Sequence, residues 1–330
     1  MADVARRSVS IDAVRVVAMV CIVAGHVWVT DHPIRGLLYS WHVPVFFFLT
    51  GYLTRPGRRM GDEAQARART LLVPYAAWMI LLCGVTFGLA LTAGRLSVER
   101  VVRVVWGGQF AAGPPFWPVW FVTALFVAAL IYRGISRLPL AGQWGIAVVL
   151  AFLAVYVPGQ PVKFLPWGIG LALPGVLFVV AGATLRELRL HVTRPVLASG
   201  AVLILAFTVV LLEFSRPLDM KRLDLGTPGL SIIVAMAISA GLILLSEGLL
   251  DTSGKQFSWV TPLAQASLVV LFLHPVVIIA LRGFSVQKPA IFLLTLAITW
   301  PVGLVLLRLR QGWVLTGAPI RTTAYVRPGR

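Results

Sequence analysis

Apolar stretches of about 15 to 24 residues alternate with short polar segments along the whole chain, long enough for helices crossing a hydrocarbon layer of about 30 Å. The pattern predicts membrane spans near residues 10–30, 37–54, 70–93, 116–132, 143–157, 164–185, 196–214, 229–250, 260–282 and 290–307. The fifth is the shortest, and Pro158, Gly159 and Pro161 mark its end. Between the third and fourth, "GRLSVERVVRVVWGGQFAAGPP" (94–115) predicts a short amphipathic helix ahead of a Gly/Pro-rich close. The expected fold is an all-α integral membrane protein, a bundle of about ten transmembrane helices. It forms one domain over 1–330 and ends in a basic tail at 308–330.

Composition agrees. Of 330 residues, 58% are hydrophobic and 12% charged, and mean hydropathy is +0.89, which excludes an ordinary soluble domain. The formal net charge of +17 raises the possibility of nucleic-acid binding. The basic residues, however, fall in short loops between apolar runs, where they orient a membrane protein. They are more frequent in the loops that would be cytoplasmic with the N-terminus inside, so both termini are expected in the cytoplasm of a multi-pass cell-membrane protein. Arg6 and Arg7 resemble the start of a signal peptide, but no small-residue cleavage site follows and further spans do, so the first segment is expected to be retained. Cys21 and Cys83 sit inside apolar runs and are expected to be packing residues. No internal repeat divides the spans into matching halves, which counts against a carrier built on such repeats.

Ionisable residues inside spans are costly and mark candidate function. The first span, "RVVAMVCIVAGH", has Arg15 at one end and His26 at the other. Eleven steps at about 100° per residue bring both onto one helix face, about 16 Å apart along the axis. Asp12 lies three residues before Arg15 and can pair with it, either to anchor the helix end or to hold the arginine for use. His42 opens the second span and His274 lies past the middle of the ninth, so His26, His42 and His274 are expected at similar depth in the outer half of the membrane. His32 and His191 fall in loops and are expected to be structural, and Glu213, at the end of the seventh span, is expected to face the headgroups. The histidines lack metal-ligand spacing and no cysteine lies at their depth, so no metal is expected. The segment "RPGRRMGDEAQARAR" (55–69) reads as an anchor on anionic lipid, or as a place where Arg58, Arg67 and Arg69 meet the phosphates of a nucleotide-bearing ligand.

Five stretches together resemble the membrane acyltransferases called acyltransferase family 3, especially the branch similar to fucose 4-O-acetylases. They are "DAVRVVAMVCIVAGH", "HVPVFFFLTGYL", "RTLLVPYAAW", "WPVWFVTALF" and "SLVVLFLHP", and with the span plan they cover nearly the whole chain. The resemblance implies an O-acyltransferase that moves an acetyl or other short acyl group from acyl-CoA to a hydroxyl of a glycan, glycolipid or glycosylated metabolite. Arg15 and His26 match the family's essential pair. Its basic motif, two arginines separated by two residues ahead of the third span, is imperfect here. Arg55 and Arg58 have the spacing but lie upstream, while Arg67 and Arg69 have the place but not the spacing. On this reading Arg15, Arg58, Arg67 and Arg69 hold acetyl-CoA or another acyl-CoA. His26 acts as general base or transient acyl carrier. His42 and His274 orient the acceptor or polarise the carbonyl, with Ser267, two turns before His274, a weaker candidate. The competing class is a multi-span transporter or exporter whose histidines form a proton or substrate site.

Overall fold

A computed structural model describes residues 8–108, 110, 113, 115–251 and 257–318. Arg6, Arg7 and residues 319–330 of the basic tail lie outside the described residues. In chain order the helices are α1 (Val9–Val27), α2 (His32–Tyr39), α3 (Pro44–Tyr52), α4 (Met60–Arg67), α5 (Val73–Thr92), α6 (Val98–Trp106), α7 (Val119–Ile135), α8 (Leu140–Tyr156), α9 (Ala172–Leu188), α10 (Pro195–Leu211), α11 (Leu230–Ser246), α12 (Val260–Gly283), α13 (Lys288–Leu306) and α14 (Trp313–Thr316). Among the described residues there are no strands. Among the same residues, six helical stretches are long and apolar enough to cross a membrane, namely Val9–Val27, Met60–Thr92, Pro166–His191, Leu230–Asp251, Val260–Gly283 and Lys288–Leu306. α7, α8 and α10 are equally apolar but have 17 residues each, about 25 Å of helix.

The stretch 37–54, expected as one span, is two short helices, α2 and α3, joined by a turn at 40–43. Pro44 has no N–H to give to the Ser40 carbonyl, which interrupts the ladder there, and its fixed φ suits the first turn of α3. With nine residues, α3 is about 13 Å long, less than half the hydrocarbon thickness. The loop helix expected within 94–115 is α6, started by the Ser97 hydroxyl accepting from the Arg100 N–H at 3.2 Å. The start of the basic tail is folded: the Trp78 indole of α5 donates to the Leu315 carbonyl of α14 at 2.9 Å.

α1 begins at Ser8, whose hydroxyl accepts from the Ile11 N–H, and carries Asp12 in its first turn, where the helix dipole favours a carboxylate. It packs against α11, α12 and α13. Polar contacts fix the two ends of the bundle. At the Ser8 end, the Ser10 hydroxyl donates to Asp251 at 2.9 Å and the Tyr52 hydroxyl to Glu247 at 2.6 Å. At the other end, Arg282 of α12 donates to the His26 carbonyl at 3.0 Å. α3 therefore runs from the His26 end toward the Ser8 end.

α3 is held by its crossing with α9, where backbones touch. A Cβ on Gly51 would lie 1.8 Å from the Val179 carbonyl oxygen, and one on Gly182 would lie 1.9 Å from that of Phe48. Helices packing this closely need small residues at the crossing. Phe47, Phe178, Phe272 and Ile238 fill the middle of the bundle and are fully buried. Cys21 and Cys83, each partly buried, pack against the same core.

Candidate active site

The three span histidines converge. His26 stands in the last turn of α1, half-buried, with its ring 5.1 Å from that of His274 and stacked nearly parallel on Trp117 at 5.8 Å. His274 is fully buried in α12. The next residue, Pro275, has no N–H to offer the preceding turn, which loosens the carbonyl ladder beside the imidazole. His274 Nδ1 donates to the Val270 carbonyl at 3.0 Å. A carbonyl only accepts, so the proton of neutral His274 is on Nδ1 and its Nε2 is an acceptor. That Nε2 is buried and has no hydrogen-bond partner among the described residues.

His42 is fixed in the same way. The turn ahead of Pro44 places its Nδ1 2.6 Å from the Leu38 carbonyl, leaving Nε2 as an acceptor. Its ring meets Tyr39 edge-on at 4.8 Å, and Nε2 lies 3.7 Å from the point where a Cβ would stand on Gly25, the neighbour of His26. One cavity of about 420 Å³ is lined by both His26 and His42.

Its far wall is the segment between α10 and α11. Leu218, Met220 and Leu223 bury themselves in the bundle, Asp219 caps the tight turn by accepting from the Arg222 N–H, and Leu223 adopts a left-handed conformation (φ 56°) that a leucine rarely takes. This plug presents Lys221 to the cavity, with its Nζ 3.4 Å from the Trp117 carbonyl. Arg35 reaches in from α2, ion-paired with Asp219 at 3.1 Å and stacked over Tyr39 at 4.3 Å.

A second cavity, about 310 Å³, opens at the Ser8 end and is lined by Arg58, Arg133, Arg137 and Arg186, with Glu187. Beside it the buried Glu63 collects Arg58 at 3.2 Å, Arg133 at 3.7 Å and Arg67 through a short contact. Arg15 lies toward this end of α1, paired with Asp12 at 3.1 Å. Among the described residues, no group of three or more His, Cys, Asp or Glu side chains is placed to hold a metal ion.

A family model described as an acyltransferase domain matches residues 8–308. The chain belongs to acyltransferase family 3. No curated protein and no solved structure matches it.

In this acyltransferase the cavity near the histidines and the one near the arginines lie at opposite ends of α1. Of the arginines expected to meet a donor, Arg58 lines the Ser8-end cavity, Arg67 is engaged by Glu63, and Arg69 is exposed on the π-type turn Ala68–Leu72. Ser267 donates to the Leu263 carbonyl within its own helix. Glu213 lies 3.6 Å from His32, both exposed, away from the three histidines. Sequence reasoning missed Trp117, Arg35, Lys221 and Arg282, which wall the histidine cavity. The loop charges among them read as orientation signals, and no periodicity marks a loop that folds inward.

Proposed function

We propose that the protein transfers an acetyl or other short acyl group from acyl-CoA, presented at the Ser8 end, to a hydroxyl that enters the His26 cavity. The observation that carries this reading is the gathering of His26, His42 and His274 from three separate segments, with His26 and His42 lining one cavity, His274 buried against His26, and His26 the most exposed of the three. Nothing in the arrangement favours a carrier. The reading places the Ser8 end in the cytoplasm of a cell-membrane protein, with ten passages of the chain through or into the bilayer. The acceptor class expected from the family resemblance is a glycan or lipid-linked glycoconjugate.

His26 would accept the hydroxyl proton as the acceptor oxygen attacks the thioester carbonyl. Collapse of the tetrahedral adduct would break the carbon–sulfur bond and expel CoA thiolate, which would take from His26 the proton that came from the hydroxyl and leave as free CoA. His42 and His274, each with Nδ1 committed to a carbonyl, offer only Nε2 lone pairs. They suit accepting a hydrogen bond from the acceptor hydroxyl or from the His26 ring, rather than polarising the carbonyl. The arginines of the Ser8-end cavity suit the phosphates of CoA.

The test is release of free CoA by the purified protein supplied with acetyl-CoA and envelope glycoconjugate. A positioned general base contributes about 10²- to 10⁴-fold, so His26→Ala should lose at least that much turnover while its thermal unfolding stays near wild type. Turnover by His26→Ala at the wild-type rate would overturn the assignment.

A further inference from the structure

The cavity at His26 is not electrically neutral. Arg35, Lys221, Arg222 and Arg282 line it against a single carboxylate, Asp219. Asp219 is already shared, with Arg35 at 3.1 Å and Arg222 at 3.7 Å. That leaves Lys221 and Arg282. Among the described residues the Lys221 ammonium meets only the Trp117 carbonyl, at 3.4 Å, and Arg282 meets only the carbonyls of His26 and Val27, at 3.0 and 3.3 Å. Neither is within ion-pair distance of a described carboxylate, although both line the cavity together with Trp117, Trp120 and Phe121; Lys221 is half-buried there and Arg282 is exposed. Lys221 is also not a loose surface side chain, because the buried Leu218, Met220 and Leu223 anchor the plug on both sides of it.

We infer that the acceptor is anionic, carrying a phosphate or carboxylate close to the hydroxyl that is acylated, and that Lys221 and Arg282 bind that anion. This rests on the acyl-transfer reading for the identity of the ligand as acceptor, but the anion site itself does not. Ammonium and guanidinium groups bind phosphate and carboxylate by charge-assisted hydrogen bonds. Trp117 and Tyr39 add flat faces for the carbon skeleton. An anion held here would also offset the charge His26 gains when it takes the hydroxyl proton, so a neutral acceptor would forgo part of the stabilisation of that step.

The test uses the full-length protein in detergent and three probes of one skeleton: glucose, glucose 6-phosphate and glucuronate. Occupancy is read as protection of His26 from diethyl pyrocarbonate, measured by peptide mass spectrometry, a readout that needs no turnover. At least one anionic probe should half-protect at a concentration lower than glucose by about tenfold or more. Lys221→Met and Arg282→Gln should each remove most of that advantage, while Arg100→Gln, on the exposed α6, should keep it. Lys221→Arg, which retains the charge, should keep it as well and guards against mere misfolding of Lys221→Met. Which anion protects separates phosphate from carboxylate recognition. Equal protection by glucose and both anions, no protection by any probe, or an advantage untouched by Lys221→Met and Arg282→Gln would overturn the inference. CoA release is followed in parallel. Anion-selective protection with no acyl transfer to any acceptor would keep the anion site and sink the acyltransferase reading. Transfer to glucose without anion selectivity would do the reverse.

Discussion

The imidazole of His274 lies 5.1 Å from that of His26, tilted by 37°, and its buried Nε2 has no hydrogen-bond partner among the described residues. Its Nδ1 proton is committed to the Val270 carbonyl, so Nε2 can only receive. On the proposed reading, a donor on the His26 ring would satisfy it and would thereby fix the tautomer that leaves the other His26 nitrogen free as a base. His274→Ala should lower kcat by about tenfold or more with little change in KM for acyl-CoA, as expected for loss of orientation rather than of donor binding. His274→Gln, which can present an acceptor oxygen near the Nε2 position, should recover part of it. A change confined to KM in both variants would exclude a positioning role.

Donor binding should follow the cavity and not the order of arginines along the loop. Arg58 and Arg137 line the Ser8-end cavity, whereas Arg69 is exposed on the helix turn beyond it. Each charge-assisted contact contributes about 1.5 to 3 kcal/mol. Arg58→Gln with Arg137→Gln should therefore raise KM for acyl-CoA by about tenfold or more, and Arg69→Gln should leave it near wild type. Added salt should weaken donor binding to the wild type more than to the double variant. Unchanged KM in the double variant would move the donor's phosphates elsewhere.

The anion site should also depend on pH. Burial pushes the Lys221 ammonium down to about 8; Asp219 opposes the shift and Arg222 adds to it. The other charged or titratable groups facing the cavity are Arg35 and Tyr39 from α2, Arg282 from α12, and His26 and His42. As pH rises through about 8, Lys221 loses its charge, so the concentration of anionic probe that half-protects His26 should increase between pH 7 and pH 9 by several-fold. An arginine stays charged throughout this range. Lys221→Arg should therefore flatten the dependence, and an identical slope in wild type and Lys221→Arg would assign it to another group.

The α3–α9 crossing should tolerate no side chain. Gly51→Ala would drive a methyl group into the Val179 carbonyl and Gly182→Ala into that of Phe48, and neither backbone can yield as a flexible side chain would. Overpacking costs about 1 to 3 kcal/mol or more, so each variant should unfold at lower temperature in detergent. Because α3 carries the turn that sets His42, acyl transfer should fall with it. Gly200→Ala, with nothing near its Cβ position, is the matched control. Equal melting of all three proteins would contradict the crossing.

The histidine cluster was legible in the sequence because an imidazole in an apolar run must find a partner, and three at similar depth find one another most easily. The Asp12–Arg15 pair and the amphipathic helix α6 were legible for local reasons, the i,i+3 spacing and the capping serine. The break inside 37–54 was not. Hydropathy stays high through "WHVPVFFFLTGY", and only Pro44, placed after a turn whose Ser40 hydroxyl folds back on Gly36, interrupts the helix. The inward folding of Lys221 was equally hidden. Its charge suggests exposure, and what pulls it in are single apolar residues, Leu218, Met220 and Leu223, too short a pattern to register as an element. That Arg58 both lines the cavity and pairs with Glu63, that Arg67 pairs with Glu63 and that Arg69 is exposed depends on Glu63 and on the packing of α4 beside α7, which no spacing within the loop encodes.

Phe47, Phe178, Phe272 and Ile238 pack as a fully buried apolar core. On the acyl-transfer reading, a donor bound at the Ser8 end and a base at His26 would stand at opposite ends of α1. A pantetheine arm reaching from one to the other would have to part aromatic and branched side chains of this kind, and their closing behind it would keep water and ions from following.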